Sequence, residues 1–333
     1  MHMADALVSP AVGGTMLAVS ACAVAYSAAK IKKEDLTEKK LPIMGIMGAF
    51  VFAAQMINFT IPGTGSSGHI GGGILLAAVL GPCPALVAIT AVLLIQCLFF
   101  ADGGLLALGC NIFNIGVIPC LIGYPLVYKM FIKKGMNKKR ITSASIVSVV
   151  VSLQLGSFCV VLQTLISGIT ALPFGTFAAL MQPIHLAIGA VEGVVTALVL
   201  CFIHNVRPEI LNDCNGDTHT VSTKKIIAVL AVLTITAGAV LSMFASSCPD
   251  GLEWSISSVT GQEEIRPGSD SAYRTAENIQ NSTAFLPDYD YKTADGEGSA
   301  TGTSVSGILG GAMVFVIAAV SGLIISKFKK AKE

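Results

Sequence analysis

Long apolar segments separated by short polar ones run through the whole sequence. Crossing about 30 Å of membrane hydrocarbon takes roughly 20 residues of apolar helix. Pro82 and Pro84 divide the long run 70–100, because proline breaks helices, and residues 70–81 then form a half-span or a steeply embedded helix. The pattern predicts an all-α, polytopic membrane helical bundle. Its apolar segments lie at about 11–29, 42–60, 70–81, 84–100, 105–128, 141–171, 184–206, 226–245 and 305–326.

Composition and charge strengthen this prediction and orient the chain. Of the 333 residues, 53% are hydrophobic and 12% are charged, whereas soluble domains carry about 25% charged residues. Nine crossings place four polar segments on one side, and these hold 18 of the 21 Lys and Arg residues. Cytoplasmic loops carry such an excess of basic residues. We therefore predict a multi-pass protein of the cell membrane with its N-terminus outside and its C-terminus in the cytoplasm. The four basic segments are 30–40, 129–140, 207–225 and 327–333.

The polar segments also divide the chain into two modules. Residues 1–206 are predicted to form a seven-helix module, residues 207–225 a cytoplasmic linker, and residues 226–333 a two-helix C-terminal module. The two C-terminal helices bracket an extracellular loop, residues 246–304, with ten acidic and three basic residues. One interpretation is a solvated, partly disordered loop. The other is a loop that concentrates cations or couples to the bundle.

The first two residues offer a chelating group. The first basic residue is Lys30, after the first apolar segment, so we expect no secretory signal and a retained Met1. The amine of Met1 and the amide and imidazole nitrogens of His2 close a five-membered and a six-membered ring on one metal ion. A fourth nitrogen would complete the square arrangement that suits Ni(II) or Cu(II). The alternative is that His2 is incidental.

His69 is the candidate for the fourth nitrogen. It lies in a glycine-dense segment, residues 63–73, on the same predicted side as Met1. Glycine permits tight turns and positive φ, and irregular backbone at membrane depth is tolerated where protein buries it or a cavity is lined. The alternative is a flexible outer turn with an exposed histidine.

Four further residues are candidates for support rather than direct ligation. His185 and Glu192 share one face of the seventh helix, and an ionisable residue inside a span suggests function. Glu192 can instead bond a polar group of a neighbouring segment. Asp102 and Asn111 flank the predicted outer end of the fifth helix, where they would orient ligands or cap the helix.

Several catalytic motifs are absent from the sequence. It contains no G-x-x-x-x-G-K-[ST] motif, which excludes ATP hydrolysis by a P-loop on this chain, and no H-E-x-x-H or nucleophile-elbow pattern. A stand-alone metal channel or secondary carrier would stack ionisable residues across the membrane, whereas Glu192 is nearly alone. A membrane enzyme would need an open coordination site and a base, for which His185 and Glu192 are the one candidate pair.

Several motifs of this chain occur together in one family of transporters. In this combination residues 1–206 resemble the nickel/cobalt substrate-capture (S) component of energy-coupling factor (ECF) importers, the CbiM/NikM family. The segment between the last two helices resembles the small accessory N subunit, with a PDGLE-type sequence, fused to the capture component. The motifs are Met1-His2-Met3-Ala4-Asp5-Ala6-Leu7, Gly63-Thr64-Gly65-Ser66-Ser67-Gly68-His69, Asp102-Gly103-Gly104, Leu108-Gly109-Cys110-Asn111, His185 with Glu192-Gly193, and Cys248-Pro249-Asp250-Gly251-Leu252-Glu253-Trp254.

The resemblance implies a site, a cargo and partners. The N-terminal segment would fold back into the bundle, and Ni(II) or Co(II) would be held as transported substrate by Met1, His2 and His69. A transmembrane coupling (T) subunit and cytoplasmic ATPase subunits would drive release, which agrees with the missing P-loop. The chain would be a transporter subunit, not an enzyme, with no catalytic cofactor and no nucleic-acid partner. The opening residues and the planar four-nitrogen arrangement favour nickel.

Overall fold

A computed structural model describes residues 2–34, 40–211, 223–262, 265, 268, 270–291 and 300–330. The described chain is a helical bundle with one short β-hairpin. Helices α5 and α6 are joined by π-helical turns over Ile112–Tyr128 into one continuous helix, Leu108–Ile132. The elements are α1 Pro10–Glu34, α2 Lys40–Gln55, β1 Phe59–Ile61, β2 Ser66–Gly68, α3 Gly73–Leu80, α4 Pro82–Phe99, α5 Leu108–Asn111, α6 Lys129–Ile132, α7 Lys138–Ser167, α8 Phe174–Val206, α9 Thr223–Ala239, α10 Gly251–Thr260, α11 Ser271–Thr283 and α12 Ala300–Lys330.

The predicted all-α membrane bundle is confirmed, with differences in its shorter segments. Within the described residues, seven helices are long and apolar enough to cross a membrane. The predicted segment 42–60 is wrong at its end, because α2 stops at Gln55 and the chain continues into β1. Gly81, at φ 91°, separates α3 from α4. Eight residues of helix extend about 12 Å, so α3 is the short embedded helix that the proline pattern predicts.

The β-hairpin brings irregular backbone into the interior. Strands β1 and β2 pair antiparallel, and Gly63 and Gly65 adopt positive φ in the turn between them. All three residues of β2 are buried. Strand β2 is thus covered by protein, whereas Thr60 of β1 and the turn residues Gly63 and Gly65 are exposed. We call the end of the bundle that carries it the hairpin end.

The segment 246–304 contains two helices where the structure describes it. These helices are α10 and α11, and side-chain hydrogen bonds join α11 to the bundle. Tyr273 donates to Val8 O at 3.0 Å, and Gln280 donates to Gly103 O at 2.9 Å. The interpretation as a solvated loop is therefore wrong for these residues. Residues 263–264, 266–267, 269 and 292–299 lie outside the described chain, as do linker residues 212–222.

The two modules pack into one bundle along α2. Helices α9 and α12 both lie against α2. Gly45 permits the approach of α12, because a Cβ at this position would lie 2.9 Å from Phe315 O. Val314 and Ala318 of α12 are fully buried. The C-terminal module therefore contributes to the same core as the seven-helix module.

Candidate metal site

The N-terminal segment is inserted into the hairpin end of the bundle. Met3 N donates to Asn111 Oδ1 at 2.7 Å, and Asn111 Nδ2 donates to Met3 O at 3.2 Å. Gly104 N also donates to Met3 O, at 2.9 Å. Asp5 accepts from Ala107 N at 3.0 Å. The backbone that follows His2 is therefore fixed, whereas Met1 lies outside the described residues.

His2 and His69 lie face to face. Their ring centroids are 5.1 Å apart and their planes differ by 8°. His2 Nδ1 lies 3.2 Å from Asp102 Oδ1, and His2 Nε2 is buried with no hydrogen-bond partner among the described residues. Such an orphaned nitrogen needs an explanation, because buried polar groups are nearly always paired. The two histidines predicted from separate motifs are thus brought together.

The charge state of both rings suits metal binding. Burial lowers the pKa of His2, and the carboxylate of Asp102 offsets part of that shift. Burial also lowers the pKa of His69 to about 3. Imidazole binds metal in its neutral form. His69 Nδ1 lies 3.1 Å from Ile70 O, and a carbonyl can only accept, so the ring donates there and carries its lone pair on Nε2.

Glu192 supports the loop that carries His69. Its two carboxylate oxygens accept from Gly71 N and Gly72 N, each at 2.9 Å. Gln55 donates to Gly71 O at 2.8 Å. Each of these contacts falls within three residues of His69. The structure therefore places Glu192 as a support for the loop, which is the alternative that the sequence left open.

His185 lies in a separate, smaller cavity. Its side chain is 1% exposed, and its Nδ1 donates to Met181 O at 2.8 Å. A cavity of about 30 Å³ is lined by His69, His185, Glu192 and Asp250, among others. Such a volume has room for a water molecule. His185 therefore lines the same small cavity as His69.

The described residues do not by themselves complete a metal site. Among them, no group of three or more His, Cys, Asp or Glu side chains is disposed to hold a metal ion. The predicted ligand set has two side-chain donors, His2 and His69. Its other two nitrogens are the amide of His2 and the amine of Met1, which lies outside the described chain.

The C-terminal module contributes residues that the sequence reasoning did not assign to the site. Asp250 caps α10 by accepting from Leu252 N and Glu253 N, while Glu253 accepts from Asp250 N at 2.8 Å. This is a capping box, with aspartate as the cap. Ser67 N, two residues before His69, donates to Pro249 O at 2.8 Å. An aspartate three residues before a glutamate, as at positions 250 and 253, is the sequence pattern that could have indicated this capping box.

A second contact from this module reaches the histidine pair through Asp102. Tyr289 donates to Asp102 Oδ2 at 2.5 Å, while His2 contacts the other carboxylate oxygen. Asp102 thus connects the C-terminal module to His2. Partners of metal-binding histidines commonly fix the orientation of the ring in this way.

Comparison with known proteins settles the family. Residues 2–210 match the family described as the cobalt uptake substrate-specific transmembrane region, CbiM. The chain belongs to the CbiM family. In this CbiM chain, residues 224–327 additionally match the PDGLE domain, and the capping box lies within that match.

Relatives of this CbiM chain are transport proteins. A putative fused nickel transport protein of Archaeoglobus fulgidus is 29% identical over 95% of this chain and 96% of its own length. A putative metal transport protein of Haloquadratum walsbyi is 35% identical over 63% of this chain and 93% of its own. A crystal structure of a truncated transition metal transporter aligns with a TM-score of 0.55 at 29% identity, over 62% of this chain and 99% of that one. The CbiM chain is therefore a multi-pass membrane protein of metal transport.

Proposed function

We propose that this chain is the substrate-capture subunit of an ATP-driven, ECF-type importer for Ni(II), with Co(II) as the second candidate cargo. The observation that carries the proposal is the buried pair of parallel imidazoles, His2 and His69, in a bundle of the CbiM family. A relative that matches nearly the whole chain is a putative nickel transport protein. The hairpin end would face the outside, as the distribution of Lys and Arg favours.

The proposed ligands are four nitrogens, from the amine of Met1, the amide and imidazole of His2, and Nε2 of His69. Their ring centroids are 5.1 Å apart, so a rotation of one side chain would let a nitrogen of each ring reach one metal ion. A square set of nitrogens suits Ni(II). The proposal requires that Met1 is the first residue of the mature protein.

Closing the chelate changes the contact between His2 and Asp102. The six-membered ring uses Nδ1, the nitrogen that lies 3.2 Å from Asp102 Oδ1. Metal capture would therefore replace this contact with a metal–nitrogen bond, and the proton on Nδ1 would move to Nε2, so that the ring stays neutral. A complex formed through Nε2 of His2 instead would keep the contact but could not chelate with the amide.

The test compares purified protein with a native start and a variant with one residue added before Met1. Nickel stoichiometry, affinity and the absorption spectrum are measured for both. We expect one Ni(II) per native chain with the spectrum of a square-planar, diamagnetic complex, and a loss of both in the extended variant. Equal binding by the extended chain would rule out the amine as a ligand and overturn the site.

The role of His69 is tested by His69→Ala. Removing one of four nitrogens is expected to weaken nickel binding by at least about tenfold. His185→Ala is the matched control, because His185 is a nearby buried histidine outside the pair. Unchanged affinity in His69→Ala together with a loss in His185→Ala would transfer the ligand role to His185.

Dependence on partners is tested by uptake. Cells that express this chain without the coupling and ATPase subunits are expected to accumulate no nickel above background. A P-loop is absent from the sequence, so energy would have to come from another chain. Full uptake by the chain alone would instead identify a channel or secondary carrier.

A further inference from the structure

Two cavities that share several lining residues lie beside His2. The first has a volume of about 380 Å³ and the second about 570 Å³. Both are lined by His2, Asp102, Asp250, Glu253 and Asp288. We call these two cavities together the vestibule. Each has room for a metal ion that keeps its hydration shell, unlike the 30 Å³ cavity next to His185.

The walls of the vestibule carry carboxylates from several elements. Asp5 and Glu277 add to the carboxylates of the first cavity. Among the described lining residues of both cavities there is no Lys or Arg. A cleft lined by one sign of charge raises the local concentration of counter-ions and their association rate.

Two of these carboxylates are held in place by hydrogen-bond donors. Asp250 accepts from two amides at the start of α10, and Asp102 accepts from Tyr289. Both carboxylates are therefore fixed in position around the space in front of His2.

The vestibule reaches a residue of the proposed metal site. The side chain of His2 is 7% exposed, and its Nε2 has no hydrogen-bond partner among the described residues. His2 lines both cavities. His2, whose imidazole belongs to the proposed metal site, therefore forms part of the wall of both cavities.

We infer that the vestibule is a transit site in which a hydrated divalent cation is collected before His2 and His69 capture it. The inference rests on the proposed function and extends it to the acidic segment of the C-terminal module. Asp5 and Asp102 come from the capture module, and the other four carboxylates come from α10, α11 and the turn that follows. Each module therefore supplies part of the vestibule wall.

The inference predicts a change in association rate without a change in dissociation rate. Glu277 and Asp288 are exposed at the mouth of the vestibule, and neither belongs to the proposed ligand set. Asn is well suited to position 288, where φ is 52°. The double variant Glu277→Gln/Asp288→Asn removes two charges and leaves the site itself intact.

The measurement is stopped-flow binding of NiCl₂ to the purified full chain at low and at high salt. Trp254, the one tryptophan of the sequence, lies on α10 beside the vestibule residue Glu253 and reports binding through quenching. At low ionic strength we expect the double variant to bind roughly tenfold more slowly. At about 1 M salt, where the Debye length falls to ~3 Å, the difference should nearly vanish. Glu277→Lys should slow binding further than Glu277→Gln.

The control is Glu209→Gln, the same chemical change at a carboxylate that pairs with Arg207 at the opposite end of α8 from the hairpin. It should leave the association rate unchanged. An unchanged rate in the double variant, a decrease that persists at high salt, or a change confined to dissociation would each overturn the vestibule. Equal nickel binding by the chain extended before Met1 would overturn the proposed site instead, so the two failures are distinguishable.

Discussion

Glu192→Gln tests whether Glu192 holds the loop that carries His69 in place. The carboxylate accepts from Gly71 N and Gly72 N with both oxygens and is 4% exposed. A glutamine offers one oxygen to one amide and turns its NH₂ towards the other. One buried donor then lacks an acceptor, which costs about 1–3 kcal/mol, and the remaining bond loses its charge assistance.

Together these losses are about 2–4 kcal/mol, or roughly 30- to 700-fold in an equilibrium constant. They act on the loop next to His69, so nickel affinity measured by titration calorimetry should fall at least about tenfold. The thermal midpoint in detergent should fall as well, whether or not metal is present. The matched control is Glu209→Gln, which lies near the other end of α8. A Glu192→Gln protein with native affinity and midpoint would refute the support role.

Two other substitutions test the anchoring of the site. Gly251→Ala would place a Cβ 3.0 Å from Ile188 Cδ1, which should push α10 away from α8 and weaken nickel binding several-fold in calorimetry. Gly175→Ala, with nothing within 4 Å of the added Cβ, should bind as the native protein does, and equal effects in both would contradict the packing argument. Asn111→Ala removes both hydrogen bonds to Met3 and leaves a buried amide unpaired, at about 1–3 kcal/mol. It should weaken nickel binding about 10- to 100-fold, and an affinity within twofold of native would contradict the anchoring role.

The bundle was predictable because membrane helices are determined by local composition. A run of about 20 apolar residues has few other stable conformations in a bilayer, and Pro82 marked the break between α3 and α4. The hairpin was not predictable in the same way. Its strands have three residues each, which is too short for an alternating pattern of apolar and polar residues. Only Gly63 and Gly65, which tolerate positive φ, indicated a turn.

The site was predictable only in part, because its contacts are distant in sequence. His2 and His69 were identifiable from chelate chemistry and glycine context. The hydrogen bonds that support them join Gly71 to Glu192 across 121 positions and Asp102 to Tyr289 across 187. A local pattern identifies the capping box at Asp250 but does not show what the capped helix packs against.

The contacts at the histidine pair explain how a fused accessory module can influence capture. Ser67 bonds to Pro249 next to the capping box, and Tyr289 bonds to the same carboxylate as His2. Neither contact is large enough to hold two separate chains together, since a stable interface buries well over 1,000 Å². Covalent connection makes the docking of the two modules intramolecular and raises the effective concentration of each module at the other. Fusion, together with the packing of α9 and α12 on α2, therefore lets a few hydrogen bonds position both histidines.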